Sequence, residues 1–222
     1  REEWRESQDE KNVESSAIHS EWIEFILRAV LGYDDEVLSS GDAIPNETSA
    51  EIPEHHVQVV PDYIVVNPEG ANAAGTPRLL VKVWPLAQEL DETVEGSNWA
   101  APPAERMALH CRAVGVRLGL VTNGHRWMLV DTAEGRVTAY VSWYSHLWIE
   151  ERLTLRSFHA LLGAKRLFGV AASDTLEALL DESIAFQEEL TDQLGYQVRK
   201  AVEVVIQALD RADLDRNRKL LE

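Results

Sequence analysis

Four side chains in the middle of the sequence could carry chemistry on a phosphate ester: Asp62, Lys82, Trp84 and Arg106. The Asp62 carboxylate can act as a metal ligand, because hard divalent cations prefer oxygen ligands. Lys82 and Arg106 offer positive charge to a phosphate group, and the Trp84 indole can stack on a nucleobase. The four residues can act together only if the fold brings their side chains to one place.

Two predicted strands carry the first three of these residues. The first strand is predicted over residues 57–66, with a bulge or an edge position at Pro61, because proline cannot donate to a sheet ladder. The second strand is predicted over residues 79–84. Side chains two positions apart on a strand point to the same face, so we expect Lys82 and Trp84 to share a face.

Arg106 lies on a helix that is predicted over residues 104–114 and ends at Gly115. A β-hairpin should follow, because Asn123-Gly124 stands between two alternating apolar runs and Asn-Gly is typical of tight hairpin turns. A further strand is predicted over residues 137–143. The order of elements therefore predicts an α/β domain.

The flanking segments are predicted to be helical or irregular. Apolar residues at helical spacing predict a helix over residues 13–31, and the segment 32–54, rich in Asp, Ser, Gly and Pro, is predicted as a loop with little regular structure. A helix over residues 154–168 should precede a long helix that reaches Leu209. Gly195 could divide that long helix in two.

The order of a strand with Pro61-Asp62, a strand, a helix and a strand resembles the core of PD-(D/E)XK nucleases. The resemblance rests on PDY at 61–63, LLVKVWPLAQELD at 79–91 and GVRLGLVTNGHRWMLVD at 115–131. It is closest to the N-terminal nuclease-like domain of type I restriction R subunits and of fused restriction–methyltransferase proteins. The stretch 189–210 resembles the helical linker of large defence-system adenine methyltransferases, including those of DISARM-type systems.

The resemblance implies a restriction-endonuclease-like fold, in which helices flank a mixed sheet over residues 13–145. An all-helical extension or linker towards a further domain is expected over residues 146–222. The polar residues 1–12 are expected to be frayed.

In that family an Asp on the first strand and a Glu on the second bind a divalent cation, and a Lys two residues further on helps to activate water. Asp62 stands at the Asp position, but Lys82 occupies the Glu position and Trp84 the Lys position. Arg106 stands where many members have a Gln. One carboxylate of two remains, so we expect Lys82 to form an ion pair with Asp62 in place of a metal.

The resemblance implies a catalytically inactive module of a bacterial or archaeal DNA restriction-modification or phage-defence protein, used for DNA engagement or scaffolding. One alternative is an active endonuclease in which Asp62 binds Mg²⁺ with a relocated acid, Glu21 or Glu24. A second alternative is an acidic protein-interaction domain without DNA contact. S-adenosylmethionine would bind only to a methyltransferase domain further along the polypeptide, and no other cofactor is expected.

Charge and composition limit the partners. The net charge of −17 argues against broad electrostatic capture of nucleic acid, so DNA contact would need a local patch. Other domains of the same polypeptide or defence-system subunits are the remaining expected partners. No apolar run approaches ~20 residues, so no membrane partner is expected. The single cysteine, Cys111, fits the cytoplasm and is expected to lie in the core.

Overall fold

The computed structural model describes residues 16–71 and 73–215. The predicted frayed segment at residues 1–12 and the predicted start of the first helix at Val13 lie outside the described residues. The chain forms two compact units, of which the first ends at Gly169 and the second begins at Val170.

The first unit is a mixed α/β structure built on a six-stranded sheet. The described residues contain eight strands: β1 (Leu38–Ser40), β2 (Ala50–Ile52), β3 (Val57–Val59), β4 (Tyr63–Val66), β5 (Pro77–Val83), β6 (Leu118–Thr122), β7 (Arg126–Asp131) and β8 (Ala139–Tyr144). The order in the main sheet is β1-β4-β5-β6-β7-β8, and β2 pairs with β3 in a separate sheet. Only β5 and β6 are parallel; every other pair in the described sheets is antiparallel.

Five helices accompany these strands in the described part of the chain. They are α1 (residues 16–30, π-helical over Ile26–Val30), α2 (Pro103–Val114), α3 (Arg152–Leu162), α4 (Ala164–Leu167) and α5 (Leu176–Asp215). Short 3₁₀ turns lie at Gly41–Ala43, Asn46–Thr48, Ser145–Leu147 and Ala172–Asp174. None of the described helices is both long and apolar enough to cross a membrane.

Helix α2 is the crossover that allows β5 and β6 to run parallel. Pro103 lies in its first turn, where a missing N–H costs nothing, and Gly115 ends it with a left-handed φ of 73°. Its buried side chains Met107 and Cys111 pack on one face of the sheet, and Gly119 of β6 leaves room for both. The predicted helix is confirmed, one residue longer at its start.

The predicted hairpin is also confirmed, because β6 and β7 meet at Asn123-Gly124. Gly124 has a φ of 84°, which residues with a side chain rarely adopt. The Asn123 side-chain oxygen accepts hydrogen bonds from the backbone N–H groups of His125 and Arg126, at 3.1 and 2.8 Å. The turn is therefore fixed by local hydrogen bonds.

Two predictions for the segment before β5 are wrong. Residues 32–54 are not a loop without regular structure, since β1 and β2 form there and pair with β4 and β3. The single strand predicted over residues 57–66 is divided at Pro61. β3 and β4 then belong to different sheets, because Pro61 lies between them and cannot donate a hydrogen bond to a ladder.

The helical part differs from the prediction in one place, and the long helix predicted to reach Leu209 is confirmed. The helix expected over residues 154–168 is interrupted at Gly163, whose ψ of 148° is extended, and this separates α3 from α4. Gly195 does not interrupt α5, which is continuous from Leu176 to Asp215.

Helix α3 covers the sheet face opposite to α2. Phe158 lies among three indole rings, with centroids 5.6 Å from Trp127, 5.5 Å from Trp143 and 5.0 Å from Trp148. The contacts with Trp127 and Trp143 are edge-on and the contact with Trp148 is tilted. Aromatic pairs of this kind stabilise a core beyond the area that they bury.

The end of α1 is tied to the break between α3 and α4. The buried Tyr33 hydroxyl donates to the Leu162 carbonyl, and the Ala164 N–H donates to the Leu31 carbonyl at 2.8 Å. These hydrogen bonds hold the first and last helical segments of the first unit together.

Candidate functional site

Asp62 lies directly before β4, and each of its carboxylate oxygens accepts a hydrogen bond from the neighbouring strand. Oδ1 accepts a hydrogen bond from Lys82 Nζ at 3.0 Å, and Oδ2 accepts one from the Val83 backbone N–H at 2.7 Å. The Asp62 backbone N–H donates to Val81 O at 2.8 Å, which continues the β4–β5 register beyond the strand. The predicted ion pair between Asp62 and Lys82 is therefore present.

Lys82 is oriented by a second acceptor. Its ammonium also donates to Val60 O at 2.9 Å, so it bridges the chain before and after Pro61. The two charged side chains are about one-third exposed, at 35% for Lys82 and 38% for Asp62. Water screens an ion pair that is this exposed, so the pair contributes little to the free energy of unfolding. Its main effect is to hold the Lys82 ammonium beside the Asp62 carboxylate.

Arg106 and Trp84 lie close together, and they contact each other directly. The Arg106 guanidinium lies 5.6 Å from the ring centroid of Trp84 and 5.0 Å from that of Trp99. It donates from Nε to Ala101 O at 3.1 Å and from Nη2 to Trp99 O. Burial lowers the pKa of Arg106 from its ordinary value. The guanidinium is thus held by cation–π contacts and backbone carbonyls, and not presented to a phosphate.

His110 lies beside this group and was not foreseen. Its imidazole is 3% exposed, and Nε2 lies 2.6 Å from Thr48 O, to which the neutral ring can donate. Burial lowers the pKa of His110, and the positive charge of Lys82 adds to this effect, whereas the hydrogen bond to Thr48 opposes it. The ring is therefore held in its neutral form.

A small cavity of about 160 Å³ collects these side chains. Lys82, Trp84 and Arg106 line it together with Trp99 and His110. Three of the four predicted residues thus border one cavity, and Asp62 joins them through Lys82. His110 follows Met107 at helical spacing on the buried side of α2, and this spacing could have identified it. No such signal exists for Trp99, which lies in a segment without periodicity.

The donors around Asp62 do not suit a divalent cation. An ammonium lies where a second carboxylate would be required, and the described residues contain no group of three or more His, Cys, Asp or Glu side chains that could hold a metal. Glu24 on α1 is exposed and pairs with Arg28 at 2.7 Å, and Glu21 is also exposed. Neither glutamate is grouped with Asp62 in an arrangement of that kind.

A larger groove of about 980 Å³ lies at the carboxyl ends of the parallel strands β5 and β6. Trp84 borders both this groove and the small cavity, and Trp22, His19, His125 and His146 are further lining residues. Crevices at the carboxyl ends of strands are common ligand sites in α/β sheets. Among the described residues, no Asp, Glu, Lys or Arg lines the groove, so it can accept a planar uncharged group.

Helix α1 fixes the wall of this groove against the hairpin. Trp22 Nε1 donates to Gly124 O at 2.9 Å, and His19 Nε2 lies 2.9 Å from Asn123 O. These two contacts tie the hairpin turn to α1 at the edge of the groove.

No protein-family model matches the chain, and no curated protein is significantly similar to it. A functional assignment must therefore start from the geometry around Asp62 and Lys82, since a fold alone does not determine a function.

Proposed function

We propose that the chain is a catalytically inactive module with a restriction-endonuclease-like fold, part of a bacterial or archaeal DNA restriction-modification or phage-defence protein. It serves DNA engagement or scaffolding and does not cut nucleic acid. The observation that carries the proposal is the Lys82 ammonium 3.0 Å from the Asp62 carboxylate, at the place where a nuclease needs a metal.

Both oxygens of Asp62 already have partners, which supports the loss of metal-dependent hydrolysis. A cation would have to displace Lys82 from Oδ1 while Val83 keeps Oδ2. Two positive charges competing for one carboxylate repel each other, and Trp84 supplies no group that can transfer a proton. Metal-activated water is therefore not expected here.

The order of elements is compatible with the proposed kinship. The antiparallel pair β4–β5 leads through the crossover helix α2 into the parallel strand β6. This is the succession of strand, strand, helix and strand that the resemblance implies. A DNA-contacting role is supported by the uncharged aromatic groove beside Trp84, where an unpaired base could stack.

The proposal is tested by restoring the missing ligands. In the double variant Lys82→Glu plus Trp84→Lys, the glutamate joins Asp62 and the lysine takes the base position. Calorimetric titration with Mg²⁺ or Mn²⁺ should detect binding by the double variant and none by the parent. The exposed Lys165→Gln on α4 lowers the net charge by one, as the double variant does; it is the matched control and should bind no better than the parent.

A plasmid-nicking assay can give the result that would contradict the proposal. The parent chain should leave supercoiled plasmid intact with either metal, as should Asp62→Ala. Cutting by the parent that Asp62→Ala abolishes would establish the active endonuclease and end this proposal. A double variant without gained metal affinity would mean that Lys82 and Trp84 do not occupy the lost ligand positions.

A protein-interaction domain is the second candidate. It is favoured by the engagement of two predicted phosphate-binding groups within the fold, Lys82 with Asp62 and Arg106 with two indoles. A chain with a net charge of −17 also suits a basic protein partner better than a polyanion.

A further inference from the structure

We infer that α5 pairs with α5 of a second copy of this chain, as an antiparallel two-stranded coiled coil. The helix runs without interruption from Leu176 to Asp215, and large apolar side chains along its second half are exposed. The exposed fractions are 60% for Leu194, 62% for Val198 and 57% for Val205. Apolar side chains that are this exposed and this regular are expected to be covered by a partner.

Five of the ten exposed large apolar residues of α5 form one stripe, and the other five lie outside it: Phe186, Tyr196, Val202, Val204 and Ile206. At 100° per residue, the side chains of Leu190, Leu194, Val198, Val205 and Leu209 fall within about one-third of the helix circumference, and no charged residue of α5 falls on that third. The stripe is roughly 28 Å long at 1.5 Å per residue. This geometry is suited to a second helix lying along it.

The residues of the stripe have the same spacing when they are followed from either end of the helix. This favours a second copy of the chain as the occupant. The steps from Leu190 through 194, 198, 201 and 205 to Leu209 are four, four, three, four and four residues. A two-fold axis between Arg199 and Lys200 maps the stripe onto itself. It places Leu190 opposite Leu209, residue 194 opposite 205, and Val198 opposite the small residue 201. Such self-complementarity is what a two-fold symmetric interface requires.

The charge distribution selects the antiparallel direction. Residues 176–194 contain six acidic and no basic residues, whereas residues 195–212 contain three basic and two acidic residues. A parallel pair would place the two acidic halves side by side, where like charges repel. An antiparallel pair with its axis between residues 199 and 200 separates the two acidic halves and sets residues 187–194 of one copy opposite residues 205–212 of the other, which include Arg211. Arg199 and Lys200 lie next to the axis.

The first test measures the mass of the full 222-residue chain by sedimentation equilibrium. We expect a monomer–dimer equilibrium, and Val198→Glu should weaken dimerisation by about 100-fold, because each dimer would bury two carboxylates in the apolar stripe. Gln207→Glu adds the same charge on the opposite side of α5 and is the matched control, with unchanged dimerisation. Circular dichroism should report the same helix content for both variants.

Two results would contradict the pairing. A parent chain that remains monomeric at high micromolar concentration would mean that something other than a second copy covers the stripe. A Val198→Glu dimer as strong as the parent dimer would place the contact elsewhere on the chain.

Oxidative cross-linking tests the direction of the pair. The double variant Leu194→Cys plus Val205→Cys should form a covalent dimer, because residues 194 and 205 of different copies lie opposite each other. Leu194→Cys alone should not, and a covalent dimer in that variant would mean a parallel pair. The native thiol does not interfere, because Cys111 is buried and burial raises its pKa to about 12.

Discussion

Asp62 and Lys82 illustrate what can be learned from single positions. The ion pair between them could be predicted because the resemblance assigns both residues to the positions of the two metal-binding acids of one site. The surroundings of Arg106 could not, because Trp99 reaches it from a segment with no periodic pattern. Side-chain partners that come from irregular segments depend on the tertiary fold and leave no local signal in the sequence.

His110 should make the stability of the first unit depend on pH. Since its pKa is lowered by burial, the folded state binds the proton less readily than the unfolded state does. Its stabilising contribution is complete above the ordinary histidine pKa of about 6.5 and is lost as the pH falls below that value towards the folded-state pKa. Urea unfolding should therefore give a lower free energy of unfolding in mildly acidic buffer than at neutral pH.

The variant His110→Gln isolates this contribution. Glutamine can still donate a hydrogen bond to Thr48 O but does not titrate, so the pH dependence between neutral and mildly acidic buffer should become smaller. The exposed His146→Gln is the control and should keep the parent pH dependence. An unchanged slope in His110→Gln would mean that the imidazole is not held neutral by burial.

At the level of elements, β6 and α2 lie very close together at Gly119. Among the glycines of the described residues, this is the one where an added Cβ would come nearest to another atom. A Cβ on Gly119 would lie 2.4 Å from Met107 Cγ and 2.9 Å from Cys111 Sγ. Gly119→Ala should therefore lower the free energy of unfolding by about 1–3 kcal/mol, because the side chains of Met107 and Cys111 must move or α2 must shift away from the sheet. Urea denaturation of the full chain measures this change.

Gly195→Ala is the matched control, since nothing lies within 4 Å of its added Cβ in α5. Alanine favours helix over glycine by about 1 kcal/mol, so this variant should not lose stability. If both alanine variants unfold like the parent, the helix α2 is not packed as closely on β6 as described.

The elements that could be predicted are those with local signals. The bounds of α2 follow from Pro103 and Gly115, and the β6–β7 hairpin follows from its Asn-Gly turn. The short strand β1 was missed because its partner β4 lies further along the chain, and β2 was missed because only three residues form it before the turn to β3. Strands of three residues that depend on such pairings carry too little pattern of their own to be recognised.

At the level of the whole molecule, the net charge of −17 limits the affinity of the chain for DNA. We expect fluorescence anisotropy to detect only weak binding of duplex DNA, with a slope of log affinity against log salt shallower than about −3, because few phosphates can be neutralised. A slope near about −6 would reveal an extended basic surface and contradict this expectation. Absence of binding even in low salt would favour the protein-interaction candidate.

The hydrogen bond from Tyr33 to Leu162 joins residues that are 129 positions apart in the chain. A truncated protein that stops before α3 would remove the acceptor of this phenol, and the indoles of Trp127 and Trp143 would lose the ring of Phe158. The loss of this hydrogen bond would be added to the cost of newly wetted aromatic surface. Attempts to express the six-stranded sheet by itself should therefore yield aggregates, however complete its strands are.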